Sequence, residues 1–228
     1  MLRTVRPGPA AGTAGGLPVP EAQIDRTAPS DLLVVGLGNP GLEYSETRHN
    51  LGWRCLDALA ARLGTSLDGR RWHSRVNSLA SGGRRVWLVQ PQTFMNESGR
   101  AVKAACRDLE LEPESLWLVH DELDLPLCRL RIRRGGSAAG HNGVKSLITS
   151  LGSPDFVRFR IGVGKPPTSG AEAGRRYVLS RFSRAEAQAA KTVVEGVAQA
   201  LQVALSDGLD QAMAVYNRAG SLGCEEIP

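Results

Sequence analysis

From Asp31 onward the apolar residues fall into patterns that alternate along the chain. Leu32–Leu37 is a continuous apolar run ended by glycines, which predicts a fully buried strand. Leu51, Cys55, Leu56, Leu59 and Leu63 recur at helical spacing and predict a helix. Arg75–Ala80 and Arg85–Gln90 flank Gly82-Gly83, a hairpin signal. Asn96 stands where it can cap a helix running to about Leu109, with Pro113 shortly beyond its end. Leu116–His120 predicts a second buried strand. Arg129–Arg133 alternates basic and apolar residues, so one face is buried and the other presents Arg129, Arg131 and Arg133. A short helix over Asn142–Leu151 and a strand over Phe156–Val163 follow. Ala189, Val193, Val197, Leu201 and Leu205 mark an amphipathic helix within residues 185–205, and a last short helix reaches about Asn217. Strands alternating with helices, plus one hairpin, predict a single α/β domain over residues 31–218, with a mixed, twisted β-sheet flanked by helices. Residues 1–30 hold 5 of the 13 prolines and read as a disordered extension; residues 219–228 read as a C-terminal tail.

Composition narrows the class. At 228 residues and 42% hydrophobic the chain can bury one substantial core, and it is too apolar for global disorder. No stretch approaches the roughly 18 apolar residues of a membrane helix, and the N-terminus lacks the apolar region of a secretory signal. Four scattered cysteines, Cys55, Cys106, Cys128 and Cys224, are too few for a disulfide framework and form no C-x-x-C pair. They suit a reducing compartment, hence the cytoplasm, and argue against structural zinc. The net charge of +5 is unevenly placed: residues 129–181 carry 11 Lys and Arg against 2 Asp and Glu, a net of +9. Such a segment is the footprint of a phosphate-backbone partner.

Gly36-Leu37-Gly38-Asn39-Pro40-Gly41 spells the G-x-G-x-x-G of dinucleotide-binding folds. That motif needs a helix opening at the glycines and an acidic residue about 20 positions on at the end of a second strand. Here helical periodicity begins only near Asn50, and Asp57 lies inside the predicted helix, so the dinucleotide reading fails on context. What remains is a strand ending in a tight turn that presents Asn39 at the sheet edge where α/β ligands bind.

Other polar residues sit where strands give way to helices or loops: His49-Asn50, Asn96, His120-Asp121 and His141-Asn142. Converging on one edge, they would supply a base, a carboxylate and several amides. Ester hydrolysis by activated water needs an imidazole base, a carboxylate to orient it, and N–H donors for the oxyanion. No G-x-S-x-G elbow and no H-E-x-x-H is present, so neither a serine nucleophile nor a zinc site is indicated. These residues alone leave His49 and His141 equally eligible as the base.

Five segments nevertheless resemble the bacterial-type peptidyl-tRNA hydrolases in order and spacing: VVGLGNPGLEYSETRHNLGW (34–53), QPQTFMNESGRAV (90–102), HDELDLP (120–126), GGSAAGHNGVKSL (135–147) and FRIGVGKP (159–166). YVLSRFS (177–183) adds weaker support. The resemblance implies the phosphorylase/hydrolase-like fold of that family. It implies cleavage of the ester between a peptide and the 3′ ribose of tRNA, recycling tRNA from aborted translation (ribosome rescue), without metal or organic cofactor, by a cytoplasmic monomer. It assigns the base to His49 and the orienting carboxylate to Asp121, with Asn96 and Asn142 positioning peptide and water. Asn39, Tyr44, Met95 and His141 would line the peptide cleft, and Arg131, Arg133, Lys145 and Arg160 would contact the acceptor and T-stem backbone. Cys128 and Ala139 stand where relatives commonly carry glycine, so the turn at one and the loop at the other are expected to differ. A relative that binds RNA or assists splicing without hydrolysis is the alternative, and an intact His49, Asp121, Asn39, Asn96 and Asn142 set favours an enzyme.

Overall fold

Strand β1 (Leu32–Gly36) runs parallel to β4 (Arg84–Pro91) on one side and to β5 (Leu116–Glu122) on the other. Its residues are buried on both faces, which is why the run shows no polar alternation. The computed structural model describes residues 31–227; the proline-rich segment 1–30, read above as a disordered extension, lies outside the described residues. β2 (Gly69–Arg71), β3 (Ser74–Ser81), β6 (Leu130–Arg134) and β7 (Val157–Gly162) complete a seven-stranded sheet ordered β2-β3-β4-β1-β5-β7-β6. Pairing is parallel through β4, β1, β5 and β7 and antiparallel at both margins, a mixed sheet as expected.

Alternate side chains of β1 feed two cores. Leu32 and Val34 pack with α1 (Leu51–Arg62), α5 (Ala187–Ser206) and α6 (Leu209–Tyr216); Leu33 and Val35 pack with α2 (Ser98–Asp108) and α3 (Asn142–Leu151). Each such Leu or Val contributes about 1.5–3 kcal/mol of transfer free energy. At the end of β1 the backbone of α1 comes closer than any side chain would allow. A Cβ on Gly36 would lie 2.5 Å from the Gly52 carbonyl oxygen, and one on Gly52 would lie 2.4 Å from that of Val119. These glycines serve close packing at the C-terminal edge of the sheet.

Several elements differ from the expectation. β2 and α4 (Ala171–Val178) carry no periodic signal, since β2 is exposed and three residues long and α4 buries only Gly174 and Val178. Asn96 does not cap a helix: a 3-10 turn over Met95–Glu97 comes first, and Glu97 occupies the cap position of α2 without a side-chain bond. At α3 the cap is His141, whose Nδ1 accepts from the Gly143 and Val144 amides at 3.1 and 3.3 Å. The reading of scattered, unpaired cysteines is also corrected, because the fold joins Cys128 to Cys224 across 96 residues and leaves Cys55 and Cys106 free and buried. Sequence spacing carries no trace of a pairing that only the returning chain creates.

That returning segment seals an edge. Asn217 donates to the Ile132 carbonyl at 3.0 Å and accepts from the Ile132 amide at 2.7 Å, doing for β6 what a further strand would do. Leu222 is buried, and Ile227 bridges to Leu127. Among the described residues no helix is long and apolar enough to cross a membrane.

Candidate active site

Many of the buried polar residues among those described gather where β1 and β5 end. The glycine-bounded turn after β1 holds Asn39, the 3-10 turn Arg48–Asn50 holds His49, and β5 carries His120, Asp121 and Glu122 to the same edge. A cleft of about 880 Å³ opens over them. Asn39, Tyr44, His49, Met95, Asn96, Asp121, His141 and Asn142 all line it, so the eight residues predicted for catalysis and peptide binding are brought together. Its far wall is α4, a contribution that sequence reasoning missed.

Asp121 is the centre of the cluster. Both its carboxylate oxygens lie 3.0 Å from His49 Nδ1, and Oδ1 lies 2.9 Å from His141 Nε2. Burial alone would raise its pKa, but the fields of His49 and His141 and their hydrogen bonds override that and hold the carboxyl well below the usual carboxylate range. The two imidazoles are differently committed. His141 accepts backbone amides at Nδ1, which assigns the proton to Nε2, where it is donated to Asp121. His49 uses Nδ1 for Asp121 and keeps Nε2 without a partner among the described residues. His49, Asp121 and His141 present one ligand atom each within 4.8 Å of one another, a spacing a metal could use. With the proton on His141 Nε2, hydrogen bonds through Asp121 join the three groups.

His120 donates from Nδ1 to the Asp121 carbonyl at 2.7 Å and stacks edge-on against His141, with ring centroids 4.8 Å apart. Burial first, and the neighbouring His141 and Arg158 with it, push its pKa well below the ordinary histidine value, so it is a neutral strut. Asn50 grips the turn after β1: its Oδ1 accepts from the Asn39 amide and its Nδ2 donates to the Asn39 carbonyl, both at 2.9 Å. The Asn39 Oδ1 accepts from the Met95 amide at 2.8 Å, so Nδ2 is the free end of that side chain. Asn96 and Asn142 are exposed in the cleft, and their side chains make no hydrogen bond among the described residues.

Arg48 is the functional neighbour the sequence did not disclose. It is only 4% exposed, yet its guanidinium makes a two-pronged bond to Glu186 at 2.8 and 2.7 Å. It also donates to Ser180 Oγ at 3.0 Å and to the Arg181 carbonyl, and lies over the rings of Tyr177 and Phe182 at 4.2 and 4.7 Å. This cage ties the residue before His49 to the α4–α5 connection. Its signal in the sequence is YVLSRFS, which supplies Tyr177, Ser180, Arg181 and Phe182.

The basic residues behave less uniformly. Arg131, Arg133 and Lys145 are exposed. Arg131 and Arg133 pair in register with Arg160 and Arg158 across β6 and β7. Arg160 is tied to Glu122 at 2.9 Å. Arg158 is buried and donates to the Ser137 and Gly136 carbonyls, fixing the loop that leads to His141. Burial, with Arg133 and Arg160 beside it, lowers its pKa to about 10, which leaves it charged at neutral pH. Cys128 and Ala139 take φ of +72° and +46°, so the turns keep the left-handed backbone that glycine favours while carrying a side chain.

A family model for peptidyl-tRNA hydrolase matches residues 33–222. The chain is 43% identical to the peptidyl-tRNA hydrolase of Desulfitobacterium hafniense, over 82% of this chain and 99% of that protein. It is 44% identical to the one from Chloroflexus aurantiacus, over 81% and 98%. Among solved structures, the peptidyl-tRNA hydrolase from Acinetobacter baumannii superposes with a TM-score of 0.75 at 30% identity, covering 86% of this chain and 95% of that one. In length, fold and sequence alike, this chain belongs to the peptidyl-tRNA hydrolase family.

Proposed function

We propose that the protein hydrolyses the ester linking a peptide to the 3′ ribose of tRNA, with His49 as general base. The observation that carries this is the His49–Asp121 pair. Nδ1 is held by both carboxylate oxygens, while Nε2 is free at the cleft, where it can take a proton from water. Hydroxide equivalent from that water adds to the ester carbonyl, and the tetrahedral oxyanion collapses with departure of the ribose 3′ oxygen, which takes up the proton. Asp121 stabilises the transient imidazolium without accepting its proton, as in triad logic. The free Nδ2 of Asn39 and the side-chain amides of Asn96 and Asn142, which line the cleft, can hold the peptide carbonyl, the water and the oxyanion. His141, with both ring nitrogens engaged, orients Asp121 and caps α3, and Tyr44 and Met95 shape the wall. Arg131, Arg133 and Lys145 form an open basic face for the tRNA backbone, which binds by charge without reading sequence. Arg160, spent on Glu122, contributes less to that face. A role in tRNA recycling places the protein with the ribosomes of the cytoplasm.

The test is hydrolysis of N-acetylaminoacyl-tRNA by the wild type and by His49→Ala. The wild type is expected to cleave it and to spare the same tRNA bearing a free α-amine, while His49→Ala loses about 10²–10⁴-fold in rate. Equal cleavage by both proteins would remove His49 from the mechanism. Binding of tRNA without any cleavage by the wild type would favour the accessory-protein alternative.

A further inference from the structure

Phe94, 55% exposed, forms a ridge between the catalytic cleft and a second groove of about 530 Å³. The two are neighbours throughout: Asn39 lines the first and Pro40 the second, Asn96 the first and Glu97 the second. Three features mark the second groove. Thr93 is 6% exposed and its Oγ1 has no hydrogen-bond partner among the described residues, a state that costs stability. Trp72 and His73, the two central residues of the β2–β3 hairpin, sit at φ +49° and +52°. A two-residue hairpin turn of that kind normally uses Asn and Gly, and other residues sit in it under strain. The turn is held there by the Gln92 amide on the His73 carbonyl at 2.8 Å and by Trp72 Nε1 on Asp108 at 3.0 Å. Finally, Arg70 has no ion pair among the described residues, and Arg100 has only a 4.0 Å contact with Glu97.

Building on the hydrolase reading of the adjoining cleft, we propose that this groove binds the peptide part of the substrate upstream of the esterified residue, extended and preferentially carrying acidic side chains. The sheet order supports that occupant. The groove lies on the β3–β4 side of β1, the open basic face lies at β7 and β6, and His49 sits between them. With tRNA on one side of the ester, the peptide leaves on the other. The Thr93 hydroxyl donates to a peptide carbonyl, Trp72 and Phe94 pack against apolar parts of the chain, and Arg70 and Arg100 receive carboxylates.

The test compares N-acetylalanyl-tRNA with N-acetyl-Glu-Glu-alanyl-tRNA, using the wild type, Thr93→Val and the double variant Arg70→Ala with Arg100→Ala. In parallel, the Trp72 indole N–H resonance is followed while the free peptide N-acetyl-Glu-Glu-Ala is added, a readout that needs no turnover. For the longer substrate KM is expected to rise about three- to tenfold in both variants, from one lost hydrogen bond in the first and two lost exposed ion pairs in the second. For the shorter one it stays unchanged, and the peptide-induced shift of the indole weakens to match. If the wild type cleaves neither substrate but the indole still shifts, the peptide groove stands and the hydrolase reading falls. An equal rise for both substrates assigns the groove to the single-stranded end of tRNA and overturns the proposal. So does an indole that ignores the peptide.

Discussion

The catalytic cluster and the basic face treat charge in opposite ways. Around β1 and β5, ionised groups are buried and each has partners on several sides: Asp121 has two imidazoles, and Arg48 has a carboxylate, a hydroxyl, a carbonyl and two rings. Along β6 and α3, Arg133 and Lys145 project into water, and the exposed Arg131 has a single long contact, to the Asn217 carbonyl at 3.3 Å. A buried charge survives only when its surroundings are fully arranged, so the first region is built for geometry. Exposed cations are screened and mobile, so the second supplies attraction with little precision. The segment of +9 contains both kinds: Arg158 holds the loop before His141, whereas Arg133, its register partner, stands free.

The sharpest way to break this contrast is Asp121→Asn, which keeps the shape and removes the charge. The hydrolysis rate is expected to fall about 10³-fold or more, because the amide can no longer fix His49 Nδ1–H or stabilise the imidazolium. A loss below tenfold in single-turnover measurements would reduce Asp121 to a packing residue. Because Asp121 is held far below its ordinary value of 3.8, its charge and the stability linked to it are present throughout the neutral and mildly acid range. They are lost only as pH falls through that depressed value.

Arg48→Met should give the intermediate effect. Removing one partner of a buried pair costs about 3 kcal/mol in stability. With the His49 turn no longer tied to Glu186, kcat is expected to fall about tenfold with KM little changed, since geometry and not binding is lost. Arg48→Lys should recover only part of the rate, because an ammonium lacks the fork that meets Glu186 and the flat face that meets Tyr177 and Phe182. A full kcat in Arg48→Met would show that the cage merely holds the fold.

The smallest change is expected from Arg133→Ala on the open face. KM for peptidyl-tRNA should rise a few-fold with kcat intact, and the slope of log KM against log salt should fall by about 0.7–0.9, one phosphate contact. An unaltered slope would take Arg133 off the tRNA surface.

Much of this was readable in advance where one residue type has one physical use. The apolar run of β1 and the four-residue steps of α5 announced themselves because burial imposes a period. β2 and α4 did not, since short exposed elements are set by what they dock against. Asn96 looked like a helix cap because Asn often is one, and the 3-10 turn that displaces it depends on how Met95 meets Asn39. Similarly, Arg48, Arg158 and Arg160 are the same letter in the sequence, and only the neighbours they meet after folding separate staple, strut and paired residue.

By itself the sequence determined the alternation of strands and helices, the position of the basic segment, and a set of polar residues at strand ends whose order and spacing resemble one family. Tertiary structure alone decided which histidine keeps a free nitrogen, because that depends on the α3 amides that occupy His141 Nδ1. It also decided that Cys128 meets Cys224 and that a strained Trp72-His73 turn borders the cleft's neighbour. Periodicity records burial, which is a property of each residue's own segment. Hydrogen-bond partners lie tens of residues away, and their identities appear only when the chain closes on itself.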